Sequence, residues 1–308
     1  MSIDLNKLST EKANEQTKNI DQLDTIGILT KINDEDKTVA FQVEKELASI
    51  AKLVDGVVDS FYNDGRLIYM GAGTSGRIGI LDSVECRPTY SVSDEMVQCL
   101  MAGGEKAFIK AVEGAEDSLT LGIEDLKKIK LNKNDFVIGI AASGRTPYVV
   151  SAIKYAKEVG AKTGCITTCK NSVLASLVDY PIEVDCGQEV ISGSTRMKSG
   201  TAQKLVCNMI STASMIKMGR VYENYMIDVQ ATNEKLVARS INILVSASGV
   251  TEAEAKSKLA KFKTLKKALI SILTGIDDLE RIEKALKNNK DHIRKAMEEL
   301  NETRWISK

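Results

Sequence analysis

Two rhythms of apolar and polar residues divide the chain. Between about residues 57 and 220, short apolar runs at Leu67–Met70, Val97–Met101, Phe136–Ile140, Gly164–Thr167 and Ile182–Val184 alternate with segments of helical period such as Tyr148–Val159. Runs of that length predict buried strands, and their alternation with amphipathic helices predicts an α/β fold built on a doubly wound parallel sheet. The first 56 residues are polar and helical in period. There Asn33-Asp34-Glu35-Asp36 offers a capping cluster, and Val39, Phe41, Val43, Leu47, Ile50 and Leu53 follow as an apolar face. After about residue 220 the strand signal stops. Thr251 with Glu254 makes a capping box, and a Lys/Glu-rich run with spaced Leu and Ile continues to Trp305, the pattern of a small helical bundle. The expected organisation is an N-terminal helical segment (1–56), a sheet domain (57–220) and a C-terminal helical domain (221–308). With only three prolines in the chain, these segments should be joined tightly.

The strand beginning at Arg66 runs into Gly71-Ala72-Gly73-Thr74-Ser75-Gly76-Arg77 and then into a helix whose apolar positions are Ile78, Leu81 and Val84. Backbone N–H groups and two hydroxyls are thereby brought to a helix N-terminus, where partial positive charge collects, which makes an anion site with phosphate as the natural occupant. The run Phe136–Ile140 repeats this geometry: it ends in Ala141-Ala142-Ser143-Gly144-Arg145-Thr146-Pro147, with a helix starting near Pro147. A third hydroxyl-rich segment, Ser192 to Thr201, precedes a helix over Ala202–Ile216. The first loop also satisfies the G-x-G-x-x-G spacing of a dinucleotide site, but the other two loops would then have no role. Three small-hydroxyl loops on one sheet edge fit a phosphorylated sugar better.

Charge narrows the partners. Lys and Arg together equal Asp and Glu at 42 each, so no basic excess supports nucleic acid or an anionic membrane as a partner. The longest apolar runs are far short of a membrane span and the first residues lack an apolar signal segment, so the expected location is the cytoplasm. Six cysteines are scattered through strand and helix patterns without a C-x-x-C pair, which reads as reduced, structural thiols. The only histidine is His292, so a histidine-based metal site or triad is not expected.

The three loop motifs resemble the sugar isomerase (SIS) domain and, more closely, the N-acetylmuramic acid 6-phosphate etherase family. The match extends to Ile32-Asn33-Asp34-Glu35-Asp36-Lys37-Thr38, Val112-Glu113-Gly114-Ala115-Glu116-Asp117-Ser118 and Ala231-Thr232-Asn233-Glu234-Lys235-Leu236, and so covers nearly the whole chain. The resemblance implies conversion of N-acetylmuramic acid 6-phosphate and water to N-acetylglucosamine 6-phosphate and D-lactate by a homodimer that uses no metal or organic cofactor. It also implies two catalytic glutamates: Glu85, in Asp82-Ser83-Val84-Glu85-Cys86, as proton donor, and Glu116 as base. The family pattern often has proline after the position of Cys86. This chain has Arg87 there, which leaves the glutamate in place.

The chemistry asks for these groups independently. Once the sugar ring opens, the C1 aldehyde acidifies the C2 proton, lactate leaves C3 by β-elimination, and water adds back at C3. A base, an acid and donors that hold phosphate are required, and two carboxyls in different protonation states supply the first two. The phosphate candidates are Thr74, Ser75, Ser143 and Thr146 with the backbone N–H groups of Gly76 and Gly144. Ser194 and Thr195 are expected nearer the sugar or its N-acetyl group, and Arg77, Arg145, Arg196 and Lys198 are candidate counter-charges. Glu113 and Asp117 are the neighbours most easily confused with the base. A continuous helix from Ser75 would put Glu85 about 15 Å along its axis, so either Glu85 serves the phosphate site of a second subunit or the helix breaks early. The rival readings are a non-catalytic sugar-phosphate regulator resembling the glucokinase regulatory protein and a phosphosugar isomerase. Met209, Met215 and Met218 lie at helical spacing, as core or dimer seam.

Overall fold

A computed structural model describes residues 12–110, 112–229 and 233–306. The first eleven residues of the N-terminal segment and Ala231-Thr232 of the later motif lie outside the described residues. Contacts group the chain into two units: one runs to Val84 and resumes over Asp94–Ser211, and the other takes Glu85–Ser93 and the chain from Thr212.

In the first unit, α1 (Thr25–Glu44) and α2 (Leu47–Tyr62) precede the sheet. Asp24 caps α1 by accepting from the Gly27 N–H at 2.9 Å, so the Asn33–Asp36 cluster lies inside the helix and caps nothing. Asp34 is instead paired to Lys37 and Glu35 to Lys198, while Asp36 Oδ1 is buried without a hydrogen-bond partner. Val39, Val43, Ile50 and Leu53 are buried as expected, but Phe41 is 65% exposed and Leu47 is also exposed.

The sheet is the expected one. Strands β1 (Leu67–Gly71), β2 (Val97–Met101), β3 (Phe136–Ile140), β4 (Lys162–Thr167) and β5 (Tyr180–Glu183) are all parallel in the order β2-β1-β3-β4-β5. Central β1 and β3 are buried along their whole length, which is why they read as unbroken apolar runs. Strand β5 is an edge, the position that tolerates Pro181. Between them come α3 (Gly73–Tyr90), α4 (Glu105–Ile109), α5 (Leu121–Lys128) and α6 (Pro147–Val159), and after β5 comes α7 (Lys198–Lys217). The chain leaves β1 for one edge of the sheet and returns to β3 on the other side of β1, so the crevice between the carboxyl ends of β1 and β3 is the topological switch point where such folds bind ligands.

Helix α3 turns an unexpected face to the sheet. Leu81 is 53% and Val84 56% exposed, while Gly76, Gly79, Asp82, Ser83 and Cys86 are buried. A Cβ on Gly79 would lie 2.7 Å from Cys99 Sγ and 3.2 Å from Tyr69 Cβ, so small residues let the helix lie close to β1 and β2. Buried Asp82 accepts from Tyr69 Oη at 3.0 Å, Asn208 Nδ2 at 2.8 Å and Ser211 Oγ at 2.9 Å, and its pKa is raised by burial against the lowering effect of these donors.

The second unit holds a two-residue hairpin, β6 (Val221–Tyr222) and β7 (Tyr225–Met226), too short to leave a sequence signal, and the expected helices. These are α8 (Glu234–Ser248), α9 (Glu252–Phe262), α10 (Leu265–Thr274), α11 (Leu279–Asn288) and α12 (Ile293–Ile306), packed around Phe262, Leu269, Ile282 and Ile293. Asn233, Thr251, Thr264 and Asp278 each cap a helix by accepting a backbone N–H, with Thr251 receiving that of Glu254. Among the described residues, no helix is long and apolar enough to cross a membrane.

At the amino ends of β1 and β3, fully buried Asp135 accepts from Arg66 N and Nε at 3.0 Å each and Nη2 at 2.7 Å, and from Asn132 N at 2.9 Å. Asp135→Ala leaves these donors and a largely buried guanidinium without their acceptor, so urea unfolding should show a loss of about 3–5 kcal/mol. A loss below about 1 kcal/mol would mean the pair does not hold the two strands.

Candidate functional site

Ala72 is the only residue between β1 and α3. Thr74, Ser75 and Gly76 therefore form the first turn of α3 and not a separate loop, with Gly73 at φ +54° opening it. The Gly76 N–H donates to Ala72 O at 3.2 Å and so closes the helix, which corrects its expected role as a phosphate donor. Helix geometry leaves the N–H groups of Gly73, Thr74 and Ser75 without intrahelical acceptors. Ser75 is buried, and its Oγ donates to Gln203 Oε1 of α7 at 3.0 Å. Gln203 is itself fully buried, with no hydrogen-bond partner for Nε2, a donor beside the α3 turn that the sequence did not single out. Its only signal was a polar side chain between the core residues Ala202 and Val206.

The second loop follows β3. Gly144 sits at φ +63°, where a Cβ would meet Ser172 Cβ at 2.4 Å, and its N–H closes a turn on Ala141 O at 3.0 Å. Gly144 thus contributes shape and not a free donor. Ser143 is half-buried, and its carbonyl accepts from Cys169 Sγ. Burial pushes the Cys169 thiol up to about 11, which makes it a neutral packing group. Thr146 precedes α6 without using its hydroxyl as a cap, Pro147 has no N–H, and Tyr148 N–H donates to Glu116 O at 3.0 Å.

The third segment is tied to the second through Thr168, whose Oγ1 contacts Ala142 O at 3.2 Å and Ser199 Oγ at 3.0 Å. It is also close to the first, since a Cβ on Gly200 would meet Thr74 Cγ2 at 3.4 Å. Helix α7 starts at Lys198, four residues earlier than expected, because the buried Glu189 carboxylate accepts the N–H groups of Lys198 and Ser199 at 2.9 and 3.0 Å. That terminus already holds an anion. Ser194 and Thr195 are half-buried just before it. Two of the candidate counter-charges are committed elsewhere: Lys198 Nζ lies 2.6 Å from Glu35 Oε2, and Arg77 donates to the carbonyls of Phe108 and Ala107. Arg145 and Arg196 are exposed.

Glu116 lines a cavity of about 260 Å³ with Ala72 and Gly73 at the start of α3, Arg77, Met101 and Glu113, while Thr74, Ser75 and Gly76 lie outside its lining. Asp117 does not line it. Glu85 lies in the other unit, exposed, in a cavity of about 450 Å³ with Arg87, Ser91, Met226, Val229, Leu236 and Arg239. Helix α3 is continuous from Gly73 to Tyr90, which removes the early break as an explanation of the separation between Ser75 and Glu85. All six cysteines are free, and no three His, Cys, Asp or Glu side chains among the described residues come together as a metal-binding group.

These features define a SIS-domain protein with a C-terminal helical unit. The family model of the SIS domain matches residues 122–213, that of the glucokinase regulatory protein N-terminal SIS domain 49–157, and that of the regulatory protein's C-terminal lid domain 223–300. Curated N-acetylmuramic acid 6-phosphate etherases of Bacillus cereus (strain AH820) and Bacillus anthracis (strain CDC 684 / NRRL 3495) are 54% and 53% identical to the chain over 95% of its length and 100% of their own. The chain belongs to the N-acetylmuramic acid 6-phosphate etherase family.

Gly144→Ala forces a strained φ, at a cost of about 1–3 kcal/mol, and pushes Ser172 away. Calorimetry should find a lower melting temperature and at least about tenfold weaker binding of N-acetylglucosamine 6-phosphate; unchanged affinity would take this loop out of the site.

Proposed function

We propose that the chain cleaves the D-lactyl ether of N-acetylmuramic acid 6-phosphate to give N-acetylglucosamine 6-phosphate and D-lactate, in cell-wall amino-sugar catabolism. The observation that carries the reading is Glu116 in one cavity with Ala72 and Gly73, where α3 begins. Phosphate takes the N–H groups of the first turn of that helix, with Thr74, Ser75, Ser143 and Thr146 around it and Ser194 and Thr195 toward the sugar. Glu116 removes the C2 proton from the open-chain aldehyde. Glu85 gives its proton to the ether oxygen as the C3–O bond breaks, lactate leaves, and water adds to C3 of the unsaturated intermediate while a proton returns to C2. The acidic pair does what a histidine does elsewhere, in a chain whose only histidine is on the opposite side of the sequence.

The enzyme works in the cytoplasm as a homodimer, with no nucleic-acid partner. Exposed Ile26, Leu29 and Phe41 on α1 and Leu81 and Val84 on α3 support association, because isolated soluble domains rarely leave that much apolar surface in water. Glu85 of one copy serves the phosphate turn of the other, as the unbroken α3 and its rise of about 1.5 Å per residue favour.

Incubation with N-acetylmuramic acid 6-phosphate should release D-lactate, and Glu116→Gln should abolish both release and exchange of the C2 proton with solvent. No lactate from the wild type would sink the etherase reading and favour the sugar-phosphate regulator; retained exchange would move the base to Glu113. Mixing Glu85→Gln chains with Ser75→Ala chains should restore part of the activity through hybrid dimers, whereas activity no higher than that of the separate variants would place both groups of a working site in one chain.

A further inference from the structure

The substrate carries a second anion besides its phosphate, and the phosphate turn cannot hold both. In a lactyl ether one carbon separates the ether oxygen from the carboxylate. A group that protonates the ether oxygen must reach within about 2.6–3.2 Å of it, so the carboxylate lies beside that acid. With Glu85 as the acid, its cavity has to contain a cation for the carboxylate, or two acidic groups face one another unbalanced.

Two guanidinium groups line that cavity, Arg87 and Arg239. Arg87 already has an interaction partner of its own. Arg239 is exposed on α8, has no acidic partner among the described residues, and lies one turn from Leu236 on the same helix face, with both side chains lining the cavity. Leu236, Met226 and Val229 give the same cavity an apolar wall suited to the lactyl methyl. A guanidinium presents two parallel N–H donors in the geometry of a carboxylate, which an ammonium does not.

We propose that Arg239 binds the carboxylate of the D-lactyl group and thereby selects this ether over uncharged ethers of the same sugar phosphate. The assignment rests on the reading of Glu85 as proton donor to the ether oxygen. It gives the second unit a specificity role distinct from the phosphate site.

The test compares the dimeric full-length enzyme with Arg239→Met and Arg239→Lys on two substrates: N-acetylmuramic acid 6-phosphate, and its analogue in which the lactyl carboxylate is a neutral carboxamide. Arg239→Met should raise KM for the acid by about 10- to 100-fold, the range of a hydrogen bond to a charged group, with kcat within about threefold. The same variant should leave KM for the carboxamide within about twofold, and Arg239→Lys should recover part of the loss on the acid alone. Equal changes on both substrates, or none on either, would overturn the assignment while leaving the etherase reading intact. Failure of the wild type to release lactate would overturn both.

Discussion

The close approach of α3 to the sheet governs much of the rest of the first unit. Gly79 meets Cys99 and Tyr69 where any larger side chain would force the helix away, and a helix displaced there would carry its first turn off the end of β1. The same approach drives Asp82 inward to Tyr69, Asn208 and Ser211, so β1, α3 and α7 are fastened at one buried carboxylate. It also turns Leu81 and Val84 outward into solvent. One steric constraint thus fixes the first turn of α3, its attachment to α7 and the exposure of Leu81 and Val84.

Among the three helix termini that gather at this end of the sheet, the commitments of the backbone decide which can take an anion. Helix α7 is occupied by Glu189 from its own chain. Helix α6 starts with a proline that has no N–H and a tyrosine whose N–H holds Glu116 in place. Helix α3 keeps its first amides open, next to the unpartnered amide of Gln203. Of the three, α3 is the terminus with open amides for the phosphate of the proposed reaction, and the Tyr148 N–H···O=C Glu116 hydrogen bond ties the second loop to the segment that carries the proposed base.

The strands, and the hydroxyl-rich turns that follow β1 and β3, were legible because parallel buried strands leave continuous apolar runs and because Gly, Ser and Thr cluster at their carboxyl ends. What misled was long-range pairing. The acidic run Asn33–Asp36 looks like a cap, yet Asp24 does that work and Glu35 reaches Lys198 across 163 residues of sequence. Ile78, Leu81 and Val84 look like a buried stripe because periodicity records where apolar residues are, not which face a glycine admits to the sheet. Lys198 and Arg77 look like free counter-charges, and only the structure shows that Glu35 pairs with the first and the carbonyls of Ala107 and Phe108 accept from the second.

In the second unit the walls of the Glu85 cavity depend on charges the loop motifs did not suggest. Residues 227–229 have no regular structure, and Val229 lines the cavity. They are held because Ser91 Oγ donates to Asp228 O and because the Asp228 carboxylate lies 2.7 Å from Lys266 and 3.6 Å from Arg220. Burial raises the Asp228 pKa, and both cations oppose that rise. Asp291 reaches the same two cations and balances them. A segment without secondary structure is thereby fixed by an ion cluster, and Ser91, which lines the cavity, also holds the backbone of that segment.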